Sequence, residues 1–250
     1  MTKAVIDIES YIYRACIASQ EVMEYKDGIY IESYSIEKAR TFLTEFVDSI
    51  LKRTKSDSYI VAMGSTKNFR KEINPYYKSN RKDIPRHPML GVVTKLVFDI
   101  FQTAYIPYLE ADDVCRIIYE EDPFNNIIVS LDKDLKSFPC TLYNPEKDIE
   151  PQRITKNVAQ ANFFKQLLMG DSCDGYQGIK GYGEKTSEKK IKDGLTIESI
   201  HDLYLQNGLT KEDFIKTYNM AMIIGGKQFK DNKIQLFNSE FIIPIESEDK

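Results

Sequence analysis

Histidine and cysteine, the residues that most often build softer metal sites, are scarce in this chain. The two histidines, His87 and His201, cannot form a histidine-rich centre, and the four cysteines (Cys16, Cys115, Cys140, Cys173) stand far apart with no CxxC pair. Neither a zinc site nor a disulfide framework is indicated; free thiols in a reducing, cytoplasmic setting are expected. Long apolar runs are missing too. None approaches the roughly 20 residues needed to cross a bilayer, and the opening Met1-Thr-Lys-Ala-Val-Ile-Asp7 breaks its apolar run with charge, so it offers no signal-peptide pattern. A membrane partner is therefore not expected. With histidine and cysteine unavailable, any bound metal must be held by oxygen, which favours Mg²⁺ or Mn²⁺.

What is present is enough apolar residue, 42% of 250, to bury a large core, most simply one α/β domain with an appendage. The net charge of −4 hides a patchwork. Between Lys67 and Arg86 the cations Lys67, Arg70, Lys71, Lys78, Arg81, Lys82 and Arg86 face only Glu72 and Asp83, and a second basic run covers 180–192. Local fields govern association more than the total does, so basic stripes beside acidic clusters suit a protein that grips phosphates.

The acids are organised around Pro107-Tyr-Leu-Glu-Ala-Asp-Asp-Val-Cys-Arg116, which sets Glu110, Asp112 and Asp113 within four residues at the start of an apolar-periodic helix. Carboxylates that close repel one another, and their burial requires a compensating cation. A charged first helical turn, favoured by the helix dipole, is the alternative reading of this segment alone. Short apolar runs at 3–8, 59–63, 104–108, 126–131 and 141–144 read as strands alternating with helices such as 36–51 and 89–101, hence a mostly parallel, doubly wound sheet. Asp7 ends the first strand and Asp132-Lys-Asp134 follows the fourth; such sheets bind ligands at that edge.

Arg70, Lys78 and Arg81 are interleaved with Phe69, Tyr76 and Tyr77. Basic groups grip phosphate while aromatic faces receive unstacked bases, and on a helix Lys78 and Arg81 share a face. After Pro151 the pattern turns helical. The helix at 155–169 leads into Gly170-Asp-Ser-Cys-Asp174 and then Gly178-Ile-Lys-Gly-Tyr-Gly183, a tight turn between helices able to offer backbone N–H groups to phosphate. Segments 197–205, 211–224 and 234–245, with Met220 and Met222, read as packing.

In their order along the chain, Asp7, Arg70, Tyr77-Lys78-Ser-Asn-Arg81, Glu110-Ala-Asp112-Asp113, Asp132-Lys-Asp134, Asp171-x-x-Asp174 and Gly178-Ile-Lys-Gly-Tyr-Gly183 resemble the 5′-nuclease (flap endonuclease / 5′→3′ exonuclease) family, in its T7-type bacteriophage branch. The resemblance runs from Val5 to about Ile191. It implies a PIN-like nuclease domain over 1–154 with a helical arch at about 67–88, and a helix-three-turn-helix DNA-binding region with packing helices over 155–250. It implies two Mg²⁺ or Mn²⁺, with Asp7, Glu110, Asp112, Asp113 and Asp132 around the first and Asp134, Asp171 and Asp174 around the second, and K⁺ at the hairpin. Arg70, Lys78, Arg81 and Asp132 take catalytic roles. Tyr77, Lys78, Arg81, Lys82, Gly178, Lys180, Gly181, Gly183, Lys185 and Thr186 contact nucleic acid. The implied activity is hydrolysis from 5′ ends or flaps of DNA, and of RNA primers in RNA–DNA hybrids, during phage-type replication by a monomer working with replication proteins in the host cytoplasm. A PIN-type ribonuclease or a non-cleaving nucleic-acid-binding module is the alternative. The family pattern has an Asp shortly after the second strand, where this chain has Ser65, and Ile8 and Glu9 replace the small polar residues that follow its first Asp.

Overall fold

A computed structural model describes residues 1–82, 84–238 and 242–244. The apolar run after Lys3 becomes β1 (Lys3–Asp7), with Ala4, Val5 and Ile6 fully buried, as befits a strand covered on both faces. It is followed by α1 (Glu9–Ala18), the hairpin β2 (Gln20–Lys26) and β3 (Ile29–Tyr34), and α2 (Ile36–Thr54). Ser35 caps α2 by accepting a hydrogen bond from the Lys38 N–H. Next come β4 (Ser58–Met63), the short α3 (Phe69–Ile73), α4 (Leu90–Ile100), β5 (Thr103–Tyr105), α5 (Ala111–Glu121), β6 (Asn126–Val129), β7 (Cys140–Tyr143) and β8 (Gln152–Ile154).

These strands form one six-stranded sheet in the order β5-β4-β1-β6-β7-β8, parallel except for β8. From β1 the chain builds outward through β4 to β5, then returns to lay β6 on the other side of β1. The order reverses at β1, so its C-terminal end, where Asp7 sits, is the switch point at which such sheets open a crevice. The period-two alternation divides the core. Ala4, Ile6, Val61, Met63 and Val129 pack with α1, α2 and α4, whereas Val5, Ala62, Ile128 and Leu142 pack with α5 and part of the segment from Met222 to Leu236.

A third apolar cluster joins α6 (Lys156–Met169), α7 (Glu184–Lys192), α8 (Ile197–Gln206) and α9 (Lys211–Ala221). Between α6 and α7 the chain pairs β9 (Gly170–Asp171) with β10 (Tyr176–Gln177), and it ends in a small antiparallel sheet of β11 (Phe229–Lys230), β12 (Lys233–Gln235) and β13 (Ile242–Pro244). No helix among the described residues is long and apolar enough to cross a membrane.

Several elements differ from the sequence expectation. The β2–β3 hairpin was not anticipated; Asp27 and Gly28, with φ of 45° and 81°, form the turn. Strand β8 lies where a helical pattern was expected to begin. Lys78 does not share a helical face with Arg81, because Lys78 is left-handed (φ 52°) and only the single 3₁₀ turn Ser79–Arg81 follows. Asp83 and Ile245 lie outside the described residues.

Candidate active site

The C-terminal ends of β1, β4 and β6 lead into hydrogen-bonded polar groups. Asp7 ends β1; its Oδ1 accepts from the Glu9 N–H (3.2 Å) and its Oδ2 from the Ser130 hydroxyl (2.8 Å). Beyond β6, the Asp132 N–H donates to Ser130 Oγ (3.0 Å), and Asp132 Oδ1 accepts from the Asp134 N–H (2.8 Å). Past β4, Gly64 donates its N–H to Glu9 Oε1 (3.0 Å). A Cβ at Gly64 would lie 2.6 Å from that oxygen and 3.0 Å from the Ala111 nitrogen, so glycine makes room for both.

The start of α5 carries Glu110, Asp112 and Asp113. The carboxylate oxygens of these three lie within 4.8 Å of one another. Glu110 and Asp113 form a capping box, each side chain accepting the other's backbone N–H. The cation that such crowding demands is Arg70, 2% exposed. All five of its N–H donors are used: on Asp113 Oδ1 (2.9 Å) and Oδ2 (2.8 Å), Glu110 Oε2 (3.0 Å), and the carbonyls of Met220 (3.2 Å) and Met222 (2.8 Å). Arg70 was expected to take a catalytic role; here it is a buried strut with no donor to spare. Asp113, expected as a metal ligand, is tied to the same strut while one of its oxygens stays within 4.8 Å of those of Glu110 and Asp112. It accepts twice from Arg70, once from Glu110 N–H (3.0 Å) and once from Ile224 N–H (2.7 Å), which fills both oxygens.

Glu110 holds the centre. Its Oε1 accepts from Lys78 Nζ (2.5 Å) and its Oε2 from the Tyr77 hydroxyl (2.7 Å) as well as Arg70. Burial opposes its charge, but Arg70 and Lys78 outweigh that and hold its carboxyl at about 2. Asp174, 20% exposed, pairs with Arg81 (3.0 Å) and stands 3.9 Å from Lys78. Tyr77 was expected to stack on a base. Its ring is 3% exposed and packs into the α6–α9 cluster, while its hydroxyl touches Glu110 and Asp174, so no face is free for stacking. Its neighbour Tyr76 is 74% exposed.

Asp171 Oδ1 accepts from the N–H groups of Cys173 (2.7 Å) and Asp174 (3.2 Å), fixing the turn that carries both acids. Electrostatics tie the set together, since Asp132 acts on Asp7 and on Asp112, and Asp171 acts on Asp134. Burial, Glu9 and Asp132 push the Asp7 carboxyl up to about 7. Burial and Asp132 raise Asp134 to about 6, and burial with Asp113 and Glu110 raises Asp112 strongly. These interactions link Asp7, Asp112, Asp132, Asp134 and Asp171 electrostatically, while Asp174 pairs with Lys78 and Arg81.

Along one side run the residues read as nucleic-acid contacts. Lys82, Lys180, Gly181, Gly183, Lys185 and Thr186 are exposed, and Gly183 caps α7. Gly178 is pressed against the α6 terminus, where a Cβ would lie 2.3 Å from the Leu168 carbonyl oxygen. Sequence reasoning missed Ser130, Gly64 and the Met220 and Met222 carbonyls. A polar Ser closing an apolar strand two residues before Asp132 was the available signal for the first; backbone acceptors leave none.

A mostly parallel α/β sheet of the resolvase-like PIN type, with carboxylates gathered at its switch point, defines the class: a 5′→3′ exonuclease domain. Residues 2–161 match the 5′-3′ exonuclease N-terminal resolvase-like domain, and the chain belongs to that family. The exodeoxyribonuclease of Enterobacteria phage T3 is 29% identical over 223 residues, spanning 83% of this chain and 71% of that protein. The exonuclease of Escherichia phage T7 is 26% identical over 284 residues, spanning 93% and 92%. A bacteriophage T5 flap endonuclease solved in a pseudo-enzyme-product complex with DNA and metal ions has the same fold, with TM-score 0.65 at 18% identity over 88% of this chain and 89% of that one.

Proposed function

We propose that the protein is a Mg²⁺- or Mn²⁺-dependent, structure-specific nuclease that hydrolyses phosphodiester bonds from 5′ ends and flaps of duplex DNA, and RNA primers in RNA–DNA hybrids, as a monomer acting with replication proteins in the host cytoplasm. The observation that carries this reading is the electrostatically linked set of carboxylates, with Lys78 and Arg81 paired to Asp174. Its donors are all oxygen, the set that hard divalent ions prefer. The raised Asp7, Asp112 and Asp134 mark a place where negative charge is costly without a cation. Asp7, Glu110, Asp112 and Asp132 are assigned to one ion and Asp134, Asp171 and Asp174 to a second. Glu9, tied to Gly64 at the end of β4, brings the carboxylate that Ser65 does not supply. Two divalent ions so held supply an ionised water, neutralise charge on the phosphoryl group and relieve the leaving oxygen.

The chain's own groups do the rest. Lys78 and Arg81 add positive charge at the scissile phosphate as electrostatic rather than proton-transfer catalysts. Unpairing terminal nucleotides costs a few kcal/mol, and exposed Tyr76 offers a ring to the freed base. The exposed Lys180, Lys185 and Thr186, with the N–H groups of the 178–183 turn, grip duplex backbone, and K⁺ is assigned to that turn. The helices after 155 form the duplex-binding part and residues 1–154 the nuclease part. The test is Asp132→Asn: cleavage should vanish while duplex binding in EDTA persists, whereas full cleavage would remove the two-ion scheme.

A further inference from the structure

One buried hydroxyl ties the Asp7 carboxylate to the backbone that carries Asp132 and Asp134. Ser130 is 1% exposed, and its own N–H is fixed on the Tyr143 carbonyl (3.1 Å), so the side chain is held by β7. Its Oγ donates to Asp7 Oδ2 (2.8 Å) and accepts from the Asp132 N–H (3.0 Å), while Asp132 Oδ1 accepts from the Asp134 N–H (2.8 Å). The result is an unbroken relay, Asp134 to Asp132 to Ser130 to Asp7, across the ends of β6 and β1. Asp7 thereby has one oxygen directed by a side-chain hydroxyl and the other by the Glu9 N–H. Asp132 in turn has its backbone direction set by the same hydroxyl. Among the described residues, no other side chain donates a hydrogen bond to Asp7.

We propose that Ser130 is a positioning residue: its hydroxyl sets the spacing and rotation of Asp7 and Asp132, and through Asp132 that of Asp134, so that the three carboxylates present a preformed cradle to divalent cations. This rests on the metal-dependent reading above. A hydroxyl is suited to the task because it can donate to a carboxylate and accept from an amide at once. Alanine leaves Asp7 Oδ2 without its donor and the Asp132 N–H without its acceptor, while removing a single heavy atom from the core. Partners that orient metal-binding carboxylates are worth about 10–100-fold in affinity or activity when removed.

The experiment is Mn²⁺ titration of the full-length protein without DNA, followed by calorimetry, for wild type, Ser130→Ala and Ser130→Thr. Thermal melting in EDTA and duplex affinity in EDTA are recorded in parallel. Ser130→Ala is expected to bind Mn²⁺ about 10–100-fold more weakly, with melting and duplex affinity in EDTA close to wild type, and Ser130→Thr, which restores the hydroxyl, to recover most of the loss. Unchanged Mn²⁺ affinity in Ser130→Ala overturns the assignment, as does an equal loss in Ser130→Thr. If alanine prevents folding, Ser130→Cys keeps the volume but weakens the donor, and wild-type affinity there overturns it equally. A wild type that binds no Mn²⁺ defeats the metal-dependent reading instead, so the two failures are distinct.

Discussion

Arg70 and Lys78 lie eight positions apart in one basic stretch, yet their surroundings give them different work. Arg70 is enclosed by two carboxylates and two carbonyls. Removing one partner of a buried ion pair leaves an uncompensated charge and costs about 3–5 kcal/mol. Arg70→Ala should therefore destabilise the fold by that order in urea unfolding even with EDTA present; a stable variant impaired only in cleavage would return Arg70 to a catalytic role. Lys78 is 26% exposed and faces the open rim, so its loss should fall on chemistry. Lys78→Ala is expected to reduce single-turnover cleavage about 100-fold or more while duplex affinity changes little, and a change confined to Kd would contradict its role. The sequence places both cations beside aromatics and acids, but burial is a tertiary property. For that reason Arg70 reads as catalytic and Tyr77 as a base contact on paper, and nothing in the sequence shows that Asp113 accepts from Arg70 and from the backbone N–H groups of Glu110 and distant Ile224.

At the level of elements, the central strands were legible because they are short apolar runs followed by acids; β1 and β6 fall where expected, whereas β5 stops at Tyr105 and Glu110 caps α5. The β2–β3 hairpin was not legible, although Asp27-Gly28 between alternating apolar residues is a strong turn signal. The paired turn between α6 and α7 depends on backbone contact that only glycine permits. At Gly178 an added Cβ meets the Leu168 carbonyl oxygen at 2.3 Å and the Gly170 nitrogen at 2.5 Å, both backbone atoms that cannot step aside. Gly178→Ala should cost about 1–3 kcal/mol by overpacking, seen as a lower melting temperature, and should weaken duplex binding by displacing the turn that carries Asp171 and Asp174. A variant with normal melting and normal duplex affinity would show that the turn tolerates the shift.

Over the whole molecule, a modest net charge of −4 conceals an acidic rim flanked by basic surface. The fold stores this charge at a cost that depends on pH. In the metal-free protein Asp7 and Asp134 sit at about 7 and about 6, above the ordinary 3.8. The unfolded chain therefore ionises first, and their contribution to stability, complete below about pH 4, is lost as pH rises towards 7. Glu110 works oppositely: held at about 2, it contributes above about pH 4.5, and that contribution is lost as pH falls through 2. Divalent ions bind the ionised carboxylates and release their protons, so the stabilisation by Mg²⁺ in thermal melts should grow between about pH 6 and pH 8. Stabilisation independent of pH over that interval would place the ions elsewhere.

The most direct test is product analysis on 5′-labelled duplex, 5′-flap and RNA–DNA hybrid substrates across a Mg²⁺ titration with an EDTA control. Cleavage from the 5′ end that rises with Mg²⁺, leaves 5′-phosphorylated products and stops in EDTA is the expected result. Tight binding of the same DNA without cutting at any Mg²⁺ or Mn²⁺ concentration, or cutting restricted to single-stranded RNA, would contradict it.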